Sequence, residues 1–303
     1  MAAVTKMTKT KKLLKVLKPS GKHWVGNGFH VSTMFSAKSE DYRYISPFVL
    51  MDYAAPKEFG PTSEKRGVGA HPHRGFETVT FALKGSVDHK DSAGGGGRIG
   101  SGDVQWMTAG SGIIHEEFHG KDFAQKGGMF EMIQLWVNLP AAKKMTEPKY
   151  QALALKNFPQ FENKAASLGV KLIAGIFDAA LNHRGPAETH TPINMYEAKF
   201  LKEGVSKEVL NFVEGTNTLI VQIEGHAHVN GEKLEKGQVA IMAREGESVE
   251  ISGGKGARIL VLNGEPIDEP IFQYGPFVMN KREEIIEAFK DYEAGKMGDP
   301  NAL

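Results

Sequence analysis

The 303 residues are 41% hydrophobic and 24% charged, which is ordinary globular chemistry with apolar mass for about two cores, and this excludes a disordered chain. No cysteine is present, which excludes disulfides, thiolate metal ligands, iron–sulfur clusters and cysteine nucleophiles, and fits a reducing compartment such as the cytoplasm, or the nucleus in a eukaryote. The net charge of +1 hides an asymmetry, because residues 1–18 hold six lysines and no acid, leaving −5 elsewhere.

That basic stretch lacks the apolar core of a secretory signal, and its lack of arginine argues against a mitochondrial one; it reads as a solvated tail in preference to a nucleic-acid-binding arm. No run reaches the ~18 apolar residues of a membrane span. After the turn signal Gly26-Asn27-Gly28, β-rich alternating runs fall at 29–35, 48–53, 78–83, 87–89, 104–107, 113–119 and 129–137, separated by glycines. Residues 141–164 lose the alternation and read as a linker, after which strand-like runs resume at 170–177, 194–201, 218–223, 239–242, 248–251 and 258–262. Residues 77–85 can be laid on 217–225, and 102–107 on 237–242, as two copies of one small barrel would allow. Ile285, Ile286 and Phe289 then recur at helical spacing, between a capping Asn280 and a stop at Gly295. The expected fold is all-β: a tail (1–18), a first barrel (19–140), a linker (141–164) and a second barrel (165–303) ending in a short helix.

Chemistry-bearing residues concentrate between His71 and His119. His71 and His73 leave the same face of an extended segment, with Glu77 in phase; on a strand, His115, Glu117 and His119 also share one face, with Glu116 pointing away. Two histidine groups joined by a turn form a nitrogen and oxygen donor set for a metal. Periodicity does not choose between Glu77 and Glu117 as its carboxylate. His115-Glu-Glu-Phe-His119 also fits the zinc-protease pattern, but that motif needs a helix, and Gly110, Gly112 and Gly120 bracket only a short β-branched run. His119 reads as a partly exposed strand-end residue. The 94–97 glycine run, without a following Lys-Ser/Thr, is a flexible turn and not a phosphate loop. His226 and His228 read as surface residues, and the positions laid on His71, His73, His115 and Glu117 are Asn211, Val213, Glu250 and Ser252, a poor ligand set. Trp106, Met107, Phe130, Met132, Gln134 and Trp136 are candidates to line an apolar pocket for a flat aromatic substrate, or to be core.

Three motifs together, HPHRGFETVT at 71–80, GDVQWMTAGSGIIHEE at 102–117 and YGPFVMN at 274–280, resemble the pirin family of cupin barrels, over about residues 19–298. The resemblance implies two jelly-roll cupin domains in tandem, with one mononuclear metal in the first. That metal is expected to be Fe(II), with Mn, Ni, Co, Cu or Zn as other divalent occupants. It also implies His71, His73, His115 and Glu117 as ligands, and leaves Glu77, the usual cupin carboxylate, out of the set; Glu117, a carboxylate beside the metal, is in addition the expected catalytic base. Two functions follow from it: ring cleavage of a flavonol such as quercetin by dioxygen, or an iron-dependent redox regulator that binds a transcription factor or metabolic enzyme. The expected protein is a cytoplasmic monomer that binds neither nucleic acid directly nor membrane.

Overall fold

The structure, a computed structural model, describes residues 9–19, 21–177, 183–204 and 206–303, so the first eight residues of the expected tail lie outside it. The chain divides into two compact units. Among the described residues no helix is long and apolar enough to cross a membrane.

The first unit comprises residues 19–42, 46–158 and 267–303. Its seven-stranded antiparallel sheet runs, in spatial order, Lys149–Leu153, Val104–Thr108, Phe76–Lys84, Gly128–Asn138, Phe48–Phe59, Phe29–Ser36, His23–Val25. Its four-stranded sheet runs Gly67–His73, Ile113–His119, Ser86–Asp91, Gly96–Gly100. Phe29, Val31, Val87, Ile99, Phe130 and Met132, drawn from both sheets, form one buried cluster, the jelly-roll solution to hiding one apolar face of each sheet. The second unit repeats the plan, with seven strands from Leu13–Leu17 at one edge to Gln160–Glu162 at the other, and four, Ser206–Asn211, Ser248–Gly253, His226–Val229 and Glu232–Glu235. The two-barrel repeat is therefore present, strand for strand.

Three boundaries differ from the sequence reading. The lysine-rich stretch is not a solvated tail throughout: Leu13–Leu17 pairs with Val239–Met242 and forms an edge of the second barrel. Lys11 is fully buried there, its ammonium donating to the carbonyls of Thr216 (2.9 Å), Ala243 (3.3 Å) and Arg244 (2.8 Å). Lys11→Ala leaves those acceptors bare, and a loss of about 3 kcal/mol is expected in urea unfolding of the full chain.

The supposed linker supplies edge strands to both barrels, Lys149–Leu153 to the first and Gln160–Glu162 to the second. Finally, the hairpin Phe272–Tyr274/Phe277–Met279 and the helix Arg282–Glu293 belong to the first unit and not to the second. Ile285 and Ala288 of that helix pack with Phe277, Met279 and Met297 against Ile114, the outward neighbour of His115. The capping signal is offset by one residue, since Glu284 accepts from the backbone N–H groups of both Asn280 and Lys281.

Candidate metal centre

Antiparallel pairing within the four-stranded sheet sets the site. His115 lies opposite His71 on one side and opposite Asp91 on the other, while Glu117 lies opposite His89. A bulge between His115 and Glu117 shifts the pairing with Gly67–His73, so that Glu117 faces Val68. The imidazole rings of His71, His73 and His115 approach to centroid distances of 4.3–4.9 Å. One nitrogen of each lies within 4.8 Å of the others, a cluster able to hold a metal ion.

The hydrogen bonds orient these rings as ligands. His71 Nδ1 donates to the Gly69 carbonyl (2.8 Å) and His73 Nδ1 to the Pro276 carbonyl (3.1 Å), which leaves Nε2 of each as the free lone pair. Nε2 of His115 is buried without a hydrogen-bond partner. A buried orphan imidazole nitrogen between two preset neighbours is what a divalent cation would satisfy, so the residues fit the group. Burial first, and the neighbouring His71 second, hold His73 and His115 well below the ordinary histidine value; burial also lowers His71. All three are therefore neutral at pH 7, the state that coordinates metal.

Glu117 is not within that three-imidazole group; it forms a second one with His115 and His89. Its Oε1 accepts from Thr80 Oγ1 (3.2 Å) and from Gln105 Nε2, and its Oε2 from Gln134 Nε2 (3.0 Å).

Glu77 is elsewhere. Gly75, at φ 86°, turns the chain between Gly67–His73 and Phe76–Lys84 and breaks the phase that aligned Glu77 with the histidines. A Cβ on Gly75 would lie 2.0 Å from the Val278 carbonyl oxygen, so only glycine permits that close approach. In the second strand Phe76 and Thr80 face the site, and Glu77 consequently faces the other side of the sheet, bonded to Thr108 Oγ1 (2.7 Å). Burial raises its carboxyl to about 7 from 4.5. The folded chain thus holds a proton on Glu77 between those values that the unfolded chain releases, and this group's contribution to stability falls as pH rises through that window. Glu77→Gln is expected to keep full metal binding and to gain on wild type by up to about 3 kcal/mol as pH rises from 4 to 8, measured by unfolding at each pH.

His119, expected to be partly exposed, is only 4% exposed. It donates to or accepts from no site residue; its Nε2 bonds the Gly28 carbonyl (2.9 Å), and its ring stacks on Phe130 at 4.4 Å. Of the six residues proposed to line a pocket, Trp106, Met107, Phe130 and Met132 are core, whereas half-buried Gln134 and Trp136 reach the site, Trp136 lying 5.3 Å from His73 with its edge to the ring. His89, read only as part of a strand, is a site residue; the period-two pair His89 and Asp91 was its signal.

In the second barrel His228 lies across from Ser252, as His89 does from Glu117. Pairing places Val209 opposite Glu250, and Asn211 opposite Ser248, so Val209 and Asn211, two residues earlier than the sequence alignment put them, stand for His71 and His73. Neither is a ligand for a metal of this kind. No metal-type cluster involves this barrel among the described residues.

Two antiparallel seven-plus-four-stranded barrels in one chain define a bicupin, and the first carries an imidazole cluster able to hold a metal ion. The family model for pirin matches residues 28–137, and that for the pirin C-terminal cupin domain matches residues 201–298. The chain belongs to the pirin family. It is 46% identical over 286 residues to a Pseudomonas aeruginosa protein named "Putative quercetin 2,3-dioxygenase", covering 94% of this chain and 98% of that one. It is 40% identical to Pirin-1 of Arabidopsis thaliana, covering 85% of each. The crystal structure of an Acinetobacter baumannii quercetin 2,3-dioxygenase superposes with a TM-score of 0.89 at 48% identity, over 96% of this chain and 99% of that one.

Proposed function

We propose that the chain is a mononuclear iron oxygenase that cleaves the ring of a flavonol with dioxygen. The observation that carries this reading is the convergence of three imidazoles with free Nε2 atoms, His73 and His115 buried and His71 half-buried, with a Glu117 side chain that accepts hydrogen bonds at both oxygens beside them. His71, His73 and His115 would hold the ion, with Glu117 as fourth ligand. Iron(II), when bound, supplies Lewis acidity and the one-electron chemistry that dioxygen requires. Glu117, held in place by Thr80, Gln105 and Gln134, accepts the flavonol hydroxyl proton. Half-buried Trp136, beside His73 and backed by the buried Phe76 ring at 4.2 Å, offers an apolar face to an aromatic ring. The names of the Pseudomonas and Acinetobacter relatives support the same substrate class. We further propose a cytoplasmic location, which the cysteine-free composition fits, and a monomeric state.

One observation favours a second reading, an iron-dependent regulator. A cleft of about 480 Å³ lies against the strand that carries His115 and Glu117, lined by its outward residues Glu116 and Phe118 together with Lys65, Asp88, Lys90 and Lys121. A partner seated there would sense that strand. Elemental analysis of purified protein followed by oxygen uptake with flavonols, with His71→Ala as control, separates the two: iron-dependent uptake supports the oxygenase, and iron without uptake on any flavonol supports the regulator.

A further inference from the structure

His89 is the one imidazole near the cluster that the proposed function leaves unused, and with a single proton on its ring its hydrogen bonds to Asp91 and His115 have one consistent direction. Asp91 accepts at Oδ1 from the backbone N–H groups of Ala93 (3.0 Å) and Gly95 (2.8 Å), and its Oδ2 lies 3.0 Å from His89 Nε2. Burial alone would raise the Asp91 carboxyl, but the hydrogen bonds from His89, Gly95 and Ala93 outweigh it and hold the group below the usual range. Asp91 is thus acceptor only, so His89 carries its proton on Nε2. The Nδ1 left bare faces Nδ1 of His115 at 3.3 Å. That contact is a hydrogen bond only if His115 Nδ1 carries a proton, which leaves its Nε2 bare. His115 Nε2 is the buried atom with no partner.

We propose that His89 and Asp91 are positioning residues of the metal centre: through two hydrogen bonds they lock His115 in the tautomer whose Nε2 can bind a metal ion. The inference rests on reading the three-imidazole cluster as that centre. The geometry around the pair is built to hold it. The Tyr150 ring stacks on His89 at 4.7 Å, only 8° from parallel, and the Tyr150 hydroxyl donates to Gln105 Oε1 (3.3 Å), which aims the Gln105 amide N–H at Glu117. One tyrosine therefore braces the partners of two proposed ligands. A Cβ on Gly95 would lie 2.4 Å from Asp91 Oδ2 and 2.6 Å from Tyr150 Cβ. The glycine run expected to be a flexible turn is, at Gly95, a packed support for the carboxylate. In the second barrel no aspartate occupies the matching place: Asn230 meets the backbone of Glu250 there.

Asp91→Asn inverts the chain without changing its shape. The asparagine oxygen must keep the N–H groups of Ala93 and Gly95, so its NH₂ turns to His89 Nε2. His89 then carries its proton on Nδ1, and His115 is forced to protonate Nε2, the ligand atom, as a carboxylate-to-amide exchange does in a catalytic triad. His89→Gln, by contrast, offers an acceptor to His115 and a donor to Asp91, as neutral histidine does.

The test uses the full-length protein labelled with ¹⁵N-histidine. Spectra of the metal-free form report the His115 tautomer, and titration with cobalt(II) against a competing chelator reports affinity. The expected results are an Nδ1–H tautomer for His115 in wild type and His89→Gln, and an inverted tautomer with about 10- to 100-fold weaker cobalt(II) binding in Asp91→Asn. His89→Gln should bind within a few-fold of wild type. An Nε2–H tautomer in wild type, or wild-type affinity in Asp91→Asn, overturns the proposal. Should Asp91→Asn fail to fold, the wild-type tautomer and the His89→Gln affinity decide it. Wild-type protein that binds neither cobalt(II) nor iron(II) overturns the metal reading itself, and the proposal with it, whatever the tautomer.

Discussion

Glu117→Gln, loaded with iron, is expected to turn over flavonol about 10²- to 10⁴-fold more slowly than wild type, the range a positioned general base contributes. The amide has nearly the volume of the carboxylate, so the barrel should fold. It cannot accept at both ends, however, and Glu117 now receives hydrogen bonds on both oxygens, from Thr80 and Gln105 on one and from Gln134 on the other. One donor must therefore turn away. Gln105 is held by the Tyr150 hydroxyl, which leaves the half-buried Gln134 as the side chain that gives way. A stability loss of about 1–2 kcal/mol should accompany the rate loss. Single-turnover oxygen consumption at equal iron content measures the effect, and a wild-type rate would remove Glu117 from the base role.

His115→Ala should abolish the centre. The ring sits between His71 and His73 on one side and His89 on the other, and it is the only residue common to both ligand groups. Its loss is expected to weaken metal binding by more than the roughly 10- to 100-fold that follows removal of a hydrogen-bonded partner of a ligand. His119→Ala is the matched control. Four residues along the same strand, it lies among Phe29, Phe59, Phe123 and Phe130, so its removal should cost stability and leave metal content unchanged. A zinc-protease-type site would lose metal in both variants. Metal content by elemental analysis, with urea unfolding alongside, distinguishes the two patterns.

The parts of this site that were legible in the sequence are those set by local periodicity. Ile113–His119 and Val239–Met242 have the bounds that alternation indicated, and the face shared by His115 and Glu117 follows from the same period of two. The missing parts depend on pairings between distant residues. Nothing near Leu13–Leu17 announces that this short run is an edge strand for Val239–Met242. Nor does the C-terminal segment show that Pro276 will meet His73, or that Asp291 will pair with Arg74 at 2.9 Å. Glu77 was ambiguous because phase was counted through Gly75, where the backbone turns. His89 was overlooked because a lone histidine on a strand is usually unremarkable; Asp91 beneath it and His115 across from it are what make it part of the site.

Whether this donor set serves flavonol oxygenation is decided by mixing anaerobic, iron-loaded protein with a flavonol such as quercetin and then admitting dioxygen at an oxygen electrode. One dioxygen should be consumed per flavonol cleaved, with uptake abolished in His71→Ala. Protein that carries one iron per chain and consumes no dioxygen with any flavonol would not be a flavonol oxygenase.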